Sequence, residues 1–268
     1  MSEPKILTFD VETSPIQAYV WGLWDQNIGI DFVSKEANGK PIDWTILSYA
    51  AKWGNSRKVL FRHTGGRGAR KVRDDKALVL ELRNLLDEAD IVVAQNGKRF
   101  DVRKVNARMI QHGIAPPSPY AVIDTMVVAK KYFAFTSQKL KWTSTVLGVS
   151  QKDDHKKFPG FELWEQCLLD NPAAWAEMEK YNKQDVRSTW EVYLKMRPWI
   201  DNHPNRGLYA PSDTPICPKC GSGDLSKEGI RVTVGGSYQQ HRCKKCGGWA
   251  RGKTLIQPLA LRKKMLVN

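Results

Sequence analysis

The chain has 268 residues, of which 41% are hydrophobic and 10% aromatic, with 10 Trp, a net charge of +14 and a pI of about 9.6. That length holds one large domain plus a small one, with enough apolar residues for a real core. The N-terminus sets an acid and a proline ahead of a short apolar run, unlike a signal peptide, and no stretch reaches the roughly 18 apolar residues of a membrane span, so an intracellular, cytoplasmic protein is expected (in the host cytoplasm if the source is viral).

A short apolar run ending in acids makes residues 5–11 a buried strand, and residues 44–53 and 58–62 read as further strands. Residues 62–73 carry Gly65, Gly66, Gly68 and five basic side chains and read as a mobile loop. Asp74 or Asp75 then caps a helix to about residue 90, with Leu78, Leu82, Leu85 and Leu86 at helical spacing. Residues 91–94 form an apolar strand, Asn96-Gly97 a turn, and residues 101–112 a helix stopped by Gly113 and Pro116-Pro117. Another strand follows at 121–124, then a broken helical pattern over 125–149 and a polar loop over 151–160. Asn171-Pro172 opens a long helix to about residue 199, with Pro172 in its first turn. Strands first, then alternating strands and helices, predict an α/β fold with a mixed sheet flanked by helices. The organisation expected is a domain over 1–201, a linker over 202–215 and a small module over 216–268.

Charge is uneven: from Asp201 onward the chain holds 12 Lys and Arg against 4 Asp and Glu, whereas the first 200 residues hold 30 against 24. A basic balance of this kind points to a polyanionic partner, nucleic acid first; the plainer alternative is a protein that is merely basic.

Four acids stand out. Asp10 and Glu12 sit at the end of a strand, where residues two apart share a face, and two adjacent carboxylates repel unless a cation lies between them. Asp101 follows another strand and a turn, and Asp185 sits inside the long helix, where Asp has poor propensity. Tyr181 precedes Asp185 by four residues, on the same helix face. Singly, each has a bland reading: a solvated strand end for Asp10 and Glu12, a helix N-cap for Asp101, a core tyrosine for Tyr181.

Together they resemble the tyrosine-containing branch (DEDDy) of the DEDD 3′–5′ exonucleases of the ribonuclease H-like superfamily. The resemblance rests on Phe-Asp-x-Glu-Thr at 9–13, Asn-Gly-x-x-Phe-Asp at 96–101 and Tyr-x-x-x-Asp at 181–185, spans roughly residues 5–200, and is supported by Asp124-Thr125 after a strand. The histidine branch puts His five residues before the last Asp, where this chain has Lys180. The resemblance implies a ribonuclease H-like fold and two Mg²⁺ or Mn²⁺ ions held by Asp10, Glu12, Asp101 and Asp185, hard cations that take oxygen ligands. In that scheme Asp10 bridges both ions, Glu12 and Asp185 serve the nucleophile side, Asp101 acts mainly through a water, and Tyr181 orients the attacking water. It further implies nucleoside 5′-monophosphates released from a 3′ end. Thr13 is expected to contact the terminal nucleotide. Asn96 either bonds near the substrate or is a plain turn residue, and Phe100 either packs beneath the site or stacks on a base.

Cys217-Pro-Lys-Cys220-Gly and Cys243-Lys-Lys-Cys246-Gly, with 22 residues between, have the spacing of a closed Cys₄ zinc site. Two Cys-x-x-Cys pairs in an intracellular chain favour metal over disulfides, and the module resembles a zinc ribbon, with a hairpin over 229–241 turning at Gly235-Gly236 and one structural Zn²⁺. Arg242, Lys244, Lys245 and Trp249 crowd the knuckles, a mixture of cations and rings suited to single strands; a solvated ribbon or a protein-docking module is the alternative.

The function expected is therefore a metal-dependent 3′–5′ exonuclease on single-stranded DNA or DNA 3′ overhangs. An exoribonuclease or a structure-specific endonuclease on the same site is the runner-up, since discrimination of RNA rests on contacts to the 2′-hydroxyl that no residue announces. An inactive nucleic-acid-binding protein is disfavoured by the presence of all four acids and the tyrosine. No polymerase segment is evident in the sequence, so proofreading within one chain is not expected.

Overall fold

The computed structural model describes residues 3–24, 27–150, 155–209 and 212–266. Residues 151–154 of the predicted polar loop and 210–211 of the predicted linker lie outside them. Among the described residues, no helix is long and apolar enough to cross a membrane.

The first sheet has five strands, β1 (Ile6–Thr13), β2 (Ile46–Trp53), β3 (Leu60–His63), β4 (Ile91–Ala94) and β5 (Ala121–Asp124), in the order β3-β2-β1-β4-β5. β2 is antiparallel to β1 and β3, whereas β1, β4 and β5 run parallel. Parallel neighbours need crossovers, which are supplied by α1 (Lys76–Glu88) before β4 and α2 (Asp101–Gln111) before β5. The remaining α-helices are α3 (Thr125–Tyr132), α4 (Leu140–Val146), α5 (Glu162–Leu168), α6 (Pro172–Met196) and, near the C-terminus, the single-turn α7 (Leu259–Arg262). This is the mixed sheet flanked by helices that the element pattern predicted, in the ribonuclease H-like form that the resemblance implied.

Strand alternation explains how the sheet positions the acids. Leu7, Phe9 and Val11 of β1, with Val92 and Ala94 of β4, pack against Leu78, Leu82 and Leu86 of α1 and Val105 and Met109 of α2. Ile6, Ile91 and Val93 point the other way, to Trp190, Tyr193 and Met196 of α6. Because side chains alternate, Asp10 and Glu12 share the face of Ile6, toward α6. The pairing of β1 with β2 shifts by one residue between Glu12 and Thr13, a bulge of the kind that ends a ladder and re-aims side chains.

α6 is read in three parts. Ala174, Trp175 and Met178 bury into a cluster with Leu163 and Cys167 of α5 and Phe61 of β3. Trp190, Tyr193 and Met196 bury at the other end. Between them Asn182, Asp185 and Ser188 are buried although polar, which is tolerable only where partners exist. This polar band crosses the sheet over Asp10.

Several expectations are corrected. The loop at 62–73 is tied down: the Asp170 carboxylate accepts from the Gly66 and Gly68 amides at 2.7 and 2.6 Å, and Arg73 donates to Ser14 Oγ and to the Pro15 and Asp43 carbonyls. Asp75 occupies the N-cap position of α1, one of the two candidates, but its carboxylate makes no cap bond and turns inward to Arg108. α5 escaped prediction because seven residues carry little periodicity, and it forms because Leu163 and Cys167, one turn apart, both enter the core.

The C-terminal sheet has three antiparallel strands, β6 (Leu225–Thr233), β7 (Gly236–Cys243) and β8 (Trp249–Leu255). β6 and β7 extend the predicted hairpin, but Gly236 is already in strand, paired with Thr233. β8 was not foreseen; its sequence, WARGKTL, lacks apolar alternation, and pairing with β7 defines it. The described part of the predicted linker is anchored: the Arg206 amide donates to Pro218 O and its guanidinium meets Glu3 at 2.9 Å.

Candidate active site

Asp10 and Glu12 from β1 and Asp185 from α6 each present a carboxylate oxygen within 4.8 Å of the others. Unit charges at that separation repel by about 3 kcal/mol per pair at an effective dielectric of about 20. Such a group needs positive charge, and its all-oxygen donors are those that hard divalent cations take.

Asn182 was missed in the sequence. Fully buried on α6, it donates from Nδ2 to Asp10 Oδ2 at 2.6 Å, while its Oδ1 accepts from Ser48 Oγ at 3.2 Å. Asp10 is thereby fixed from the helix side by an amide that is itself fixed from β2. The available signal was an amide one turn from both Met178 and Val186 in an otherwise apolar stripe.

Asp101 does not join that group of three. It is the first residue of α2, with Phe100 at the cap position, and its Oδ1 accepts from the Val11 amide at 3.0 Å. Burial, reinforced by the charge of Asp124 and opposed by the bonds from the Val11 amide and its own amide, pushes its pKa up to about 7. Asp124 organises the turn leading to it. Its carboxylate accepts from the Asn96 and Lys98 amides, each at 3.0 Å, and from Met126 and Val127 at the start of α3. Asn96 adopts φ 61°, a left-handed conformation that Asn tolerates better than most residues, which favours its turn reading. A Cβ on Gly97 would lie 2.4 Å from Ala94 Cβ, so only glycine lets the turn close on β4.

The Tyr181 ring lies edge-on to His155 at 5.1 Å and to Trp164 at 5.9 Å between centroids, on the helix face that carries Asp185 one turn on. Phe100 is 37% exposed, and its ring centroid is 5.6 Å from Lys104 Nζ. Thr13, half-buried, follows the bulge. Cys167, the odd cysteine, is wholly buried, and its thiol is pushed up to about 12 by burial first, then by Glu12 and Asp170, which makes it an inert core residue.

The four remaining cysteines converge. Cys217 and Cys246 Sγ are 3.7 Å apart, Cys220 and Cys243 3.6 Å, and all four lie within 4.8 Å of one another. Thiolates about 2.3 Å from a tetrahedral zinc stand about 3.8 Å apart, whereas a disulfide requires about 2.05 Å. The cluster is compatible with a zinc ribbon. Arg242 lies 5.6 Å from the Trp249 ring, Lys244 is 3.9 Å from Asp224, and Lys245 is exposed beside it.

A family model of the RNase_H superfamily matches residues 62–197, just over half of the chain. The chain belongs to the RNase H superfamily. The match takes in Asp101, Tyr181 and Asp185 but begins after Asp10 and Glu12, which the fold brings beside Asp185. Among solved structures, the family B DNA polymerase from the hyperthermophilic archaeon Pyrobaculum calidifontis is similar with a TM-score of 0.54 at 17% identity, over 74% of this chain and 25% of the polymerase. The likeness is one of fold, and this chain spans about a quarter of that protein's length. A comparison with curated proteins found no match.

Proposed function

We propose that the protein is a metal-dependent 3′–5′ exonuclease that hydrolyses single-stranded DNA or DNA 3′ overhangs and releases nucleoside 5′-monophosphates. The observation that carries this reading is the meeting of Asp10, Glu12 and Asp185 within 4.8 Å in a fold of the RNase H superfamily. The exonuclease unit is assigned to residues 1–201, joined through 202–215 to a zinc-ribbon module over 216–268 that holds one structural Zn²⁺ on Cys217, Cys220, Cys243 and Cys246.

Asp10, Glu12 and Asp185, with Asp101 behind them, would hold two Mg²⁺ or Mn²⁺ ions. When bound, such ions activate the nucleophile and stabilise charge on the phosphate and leaving oxygen. The chain's own residues do the positioning. Asn182 keeps Asp10 turned toward α6, and the Val11 amide keeps Asp101 at the strand end. Tyr181 orients the attacking water; an unperturbed phenol titrates near pH 10, which suits a positioning group better than a base. Water adds to phosphorus, the bond from phosphorus to the 3′ oxygen breaks, and the departing oxygen leaves with a proton. Thr13, Asn96 and Phe100 border the terminal nucleotide, and Arg242, Lys244, Lys245 and Trp249 supply contacts to the strand.

The test is digestion of 5′-labelled DNA and RNA oligonucleotides in Mg²⁺ or Mn²⁺. A ladder descending by single nucleotides is expected, faster on DNA; faster decay of RNA would make it an exoribonuclease, and one large discrete product an endonuclease. Asp10→Ala should lower the rate more than about a hundredfold. An unchanged rate in that variant sinks the site assignment.

A further inference from the structure

The C-terminal sheet has two unlike faces. Tyr238, Gln240 and Arg242 alternate along β7 and so share a face. Opposite them in the ladder stand Arg231, Arg251 and Trp249 respectively, Arg231 on β6 and the other two on β8. Partners directly opposite in a sheet point to the same side. The reverse face carries Ile230, Val232, Ser237, Gln239 and His241. All three arginines of the sheet therefore gather on one side with Tyr238 and Trp249, beside Leu255, while Ile230 and Val232 lie on the other.

The arginines are arranged against the rings. Arg251 lies 4.0 Å from the Tyr238 ring centroid and Arg242 lies 5.6 Å from that of Trp249. Where this face meets the catalytic unit, Arg231, Trp249 and Arg251 join Lys219 in lining a groove of about 330 Å³ that also touches Asp201 and His203. Its walls bring three arginines or lysines in the sheet and knuckle against one acid. Guanidinium forks match phosphate oxygens, and an exposed ring such as that of Trp249 accepts a stacked base whatever the sequence.

The groove is remote from the acids. It abuts the chain just past the end of α6, and from Asp185 to Met196 the helix rises about 16 Å at 1.5 Å per residue. At about 3.4 Å per stacked nucleotide, that distance corresponds to about five nucleotides, so a terminal nucleotide at Asp10 does not reach the groove.

We propose that this sheet face and its groove form a second nucleic-acid site that grips unpaired strand upstream of the reacting end. This rests on the reading of Asp10, Glu12 and Asp185 as the hydrolytic centre. The ligand chemistry is an unpaired phosphodiester strand with accessible base faces, common to DNA and RNA. Arg231, Tyr238 and Arg251 belong to this site, whereas Lys244 and Lys245 sit beyond it on the second knuckle.

The experiment measures binding of fluorescent 20-nucleotide and trinucleotide strands, as DNA and as RNA, by anisotropy in Ca²⁺ with the full zinc-loaded chain. The 20-nucleotide strand is expected to bind far more tightly than the trinucleotide. In Arg242→Gln/Arg251→Gln that preference should shrink at least about tenfold, and the slope of log affinity against log salt should fall by about 1.4, near 0.7 for each phosphate of a single strand that is no longer neutralised. Trp249→Leu should weaken the long strand with little change in slope, because it removes stacking and not charge. Ile230→Gln, on the opposite face, should leave the preference intact, and zinc content reports that each variant is folded. An unchanged length preference and salt slope in the double arginine variant overturns the proposal. Absence of cleavage by the parent protein in Mg²⁺ and Mn²⁺ would instead defeat the hydrolytic reading while the binding result stands. The DNA and RNA arms show which strand the face holds.

Discussion

Asn182 and Asp10 form the contact in this site that separates orientation from ligation. The amide donates to Asp10 and accepts from Ser48, so Asn182→Asp preserves shape but turns a donor into a fourth carboxylate beside three others. Residues that orient ligands typically cost about 10–100-fold when removed. We expect Asn182→Asp to lower kcat by that range and to raise the Mn²⁺ concentration for half-maximal rate, with Asn182→Ala intermediate. Equal metal dependence in all three proteins would reduce Asn182 to a packing residue. At this scale the acids were legible because each breaks a local rule: Glu12 ends an apolar strand and Asp185 interrupts a helix. Asn182 was not, since an amide in a helix is unremarkable until its neighbour from a strand 172 residues earlier is known.

Among the elements, the junction of α1, α2 and β2 depends on one buried ion pair. Asp75, fully buried, accepts from Arg108 Nη2 at 2.6 Å and Nε at 2.8 Å, and from the Ile46 amide at 2.8 Å; His112 Nε2 lies 2.6 Å away. Replacing one member strands a buried guanidinium, which costs about 3–5 kcal/mol. Asp75→Asn should therefore lower the urea midpoint strongly. Asp74→Asn, whose exposed carboxylate meets exposed Arg67 at 3.7 Å, should stay within about 0.5 kcal/mol. Equal midpoints for the two variants would contradict this account. The sequence allowed either aspartate to begin α1 and said nothing of Arg108, because the pair is 33 residues apart. The basic loop over 62–73 was misjudged for the same reason: glycines and arginines read as mobile, and the carboxylate that holds them is Asp170, from the turn before α6.

Across the whole molecule, the catalytic unit and the C-terminal module meet near His203. Its Nδ1–H donates to Pro204 O at 2.8 Å, which leaves Nε2 to accept from Tyr193 OH at 2.8 Å. The neutral ring is thus fully satisfied. Burial, with Arg197, Arg206 and Lys219 nearby, pushes its pKa down to about 4 despite the bond to Pro204. The unfolded chain then binds more protons between about pH 6.5 and 4, so stability present above pH 6.5 is lost as pH falls through that window. The full loss is on the order of 3 kcal/mol. Denaturation midpoints measured from pH 7.5 to 5 should fall in the parent protein and flatten in His203→Gln. An identical slope in both would show that His203 is not the group responsible. Removal of the proposed zinc belongs to this scale as well. A module with three buried cysteines and one partly buried leucine at its centre has too little apolar area to fold by itself. A chelator should accordingly abolish its protection from proteolysis before that of the sheet bearing Asp10.

The sequence by itself determined the five strands of the mixed sheet, most of the helices around it, the three acidic motifs and the paired cysteine knuckles, because periodicity, caps and ligand spacing are local and survive in one dimension. Only the tertiary structure decided which side chains meet. It brought Asp10, Glu12 and Asp185 together but used Asp101 to hold the Val11 amide, added Asn182, and gathered three arginines on one face of a sheet whose third strand has no apolar alternation. Contacts between residues tens to nearly two hundred positions apart depend on strand register and helix docking, and those are set by burial of the whole core.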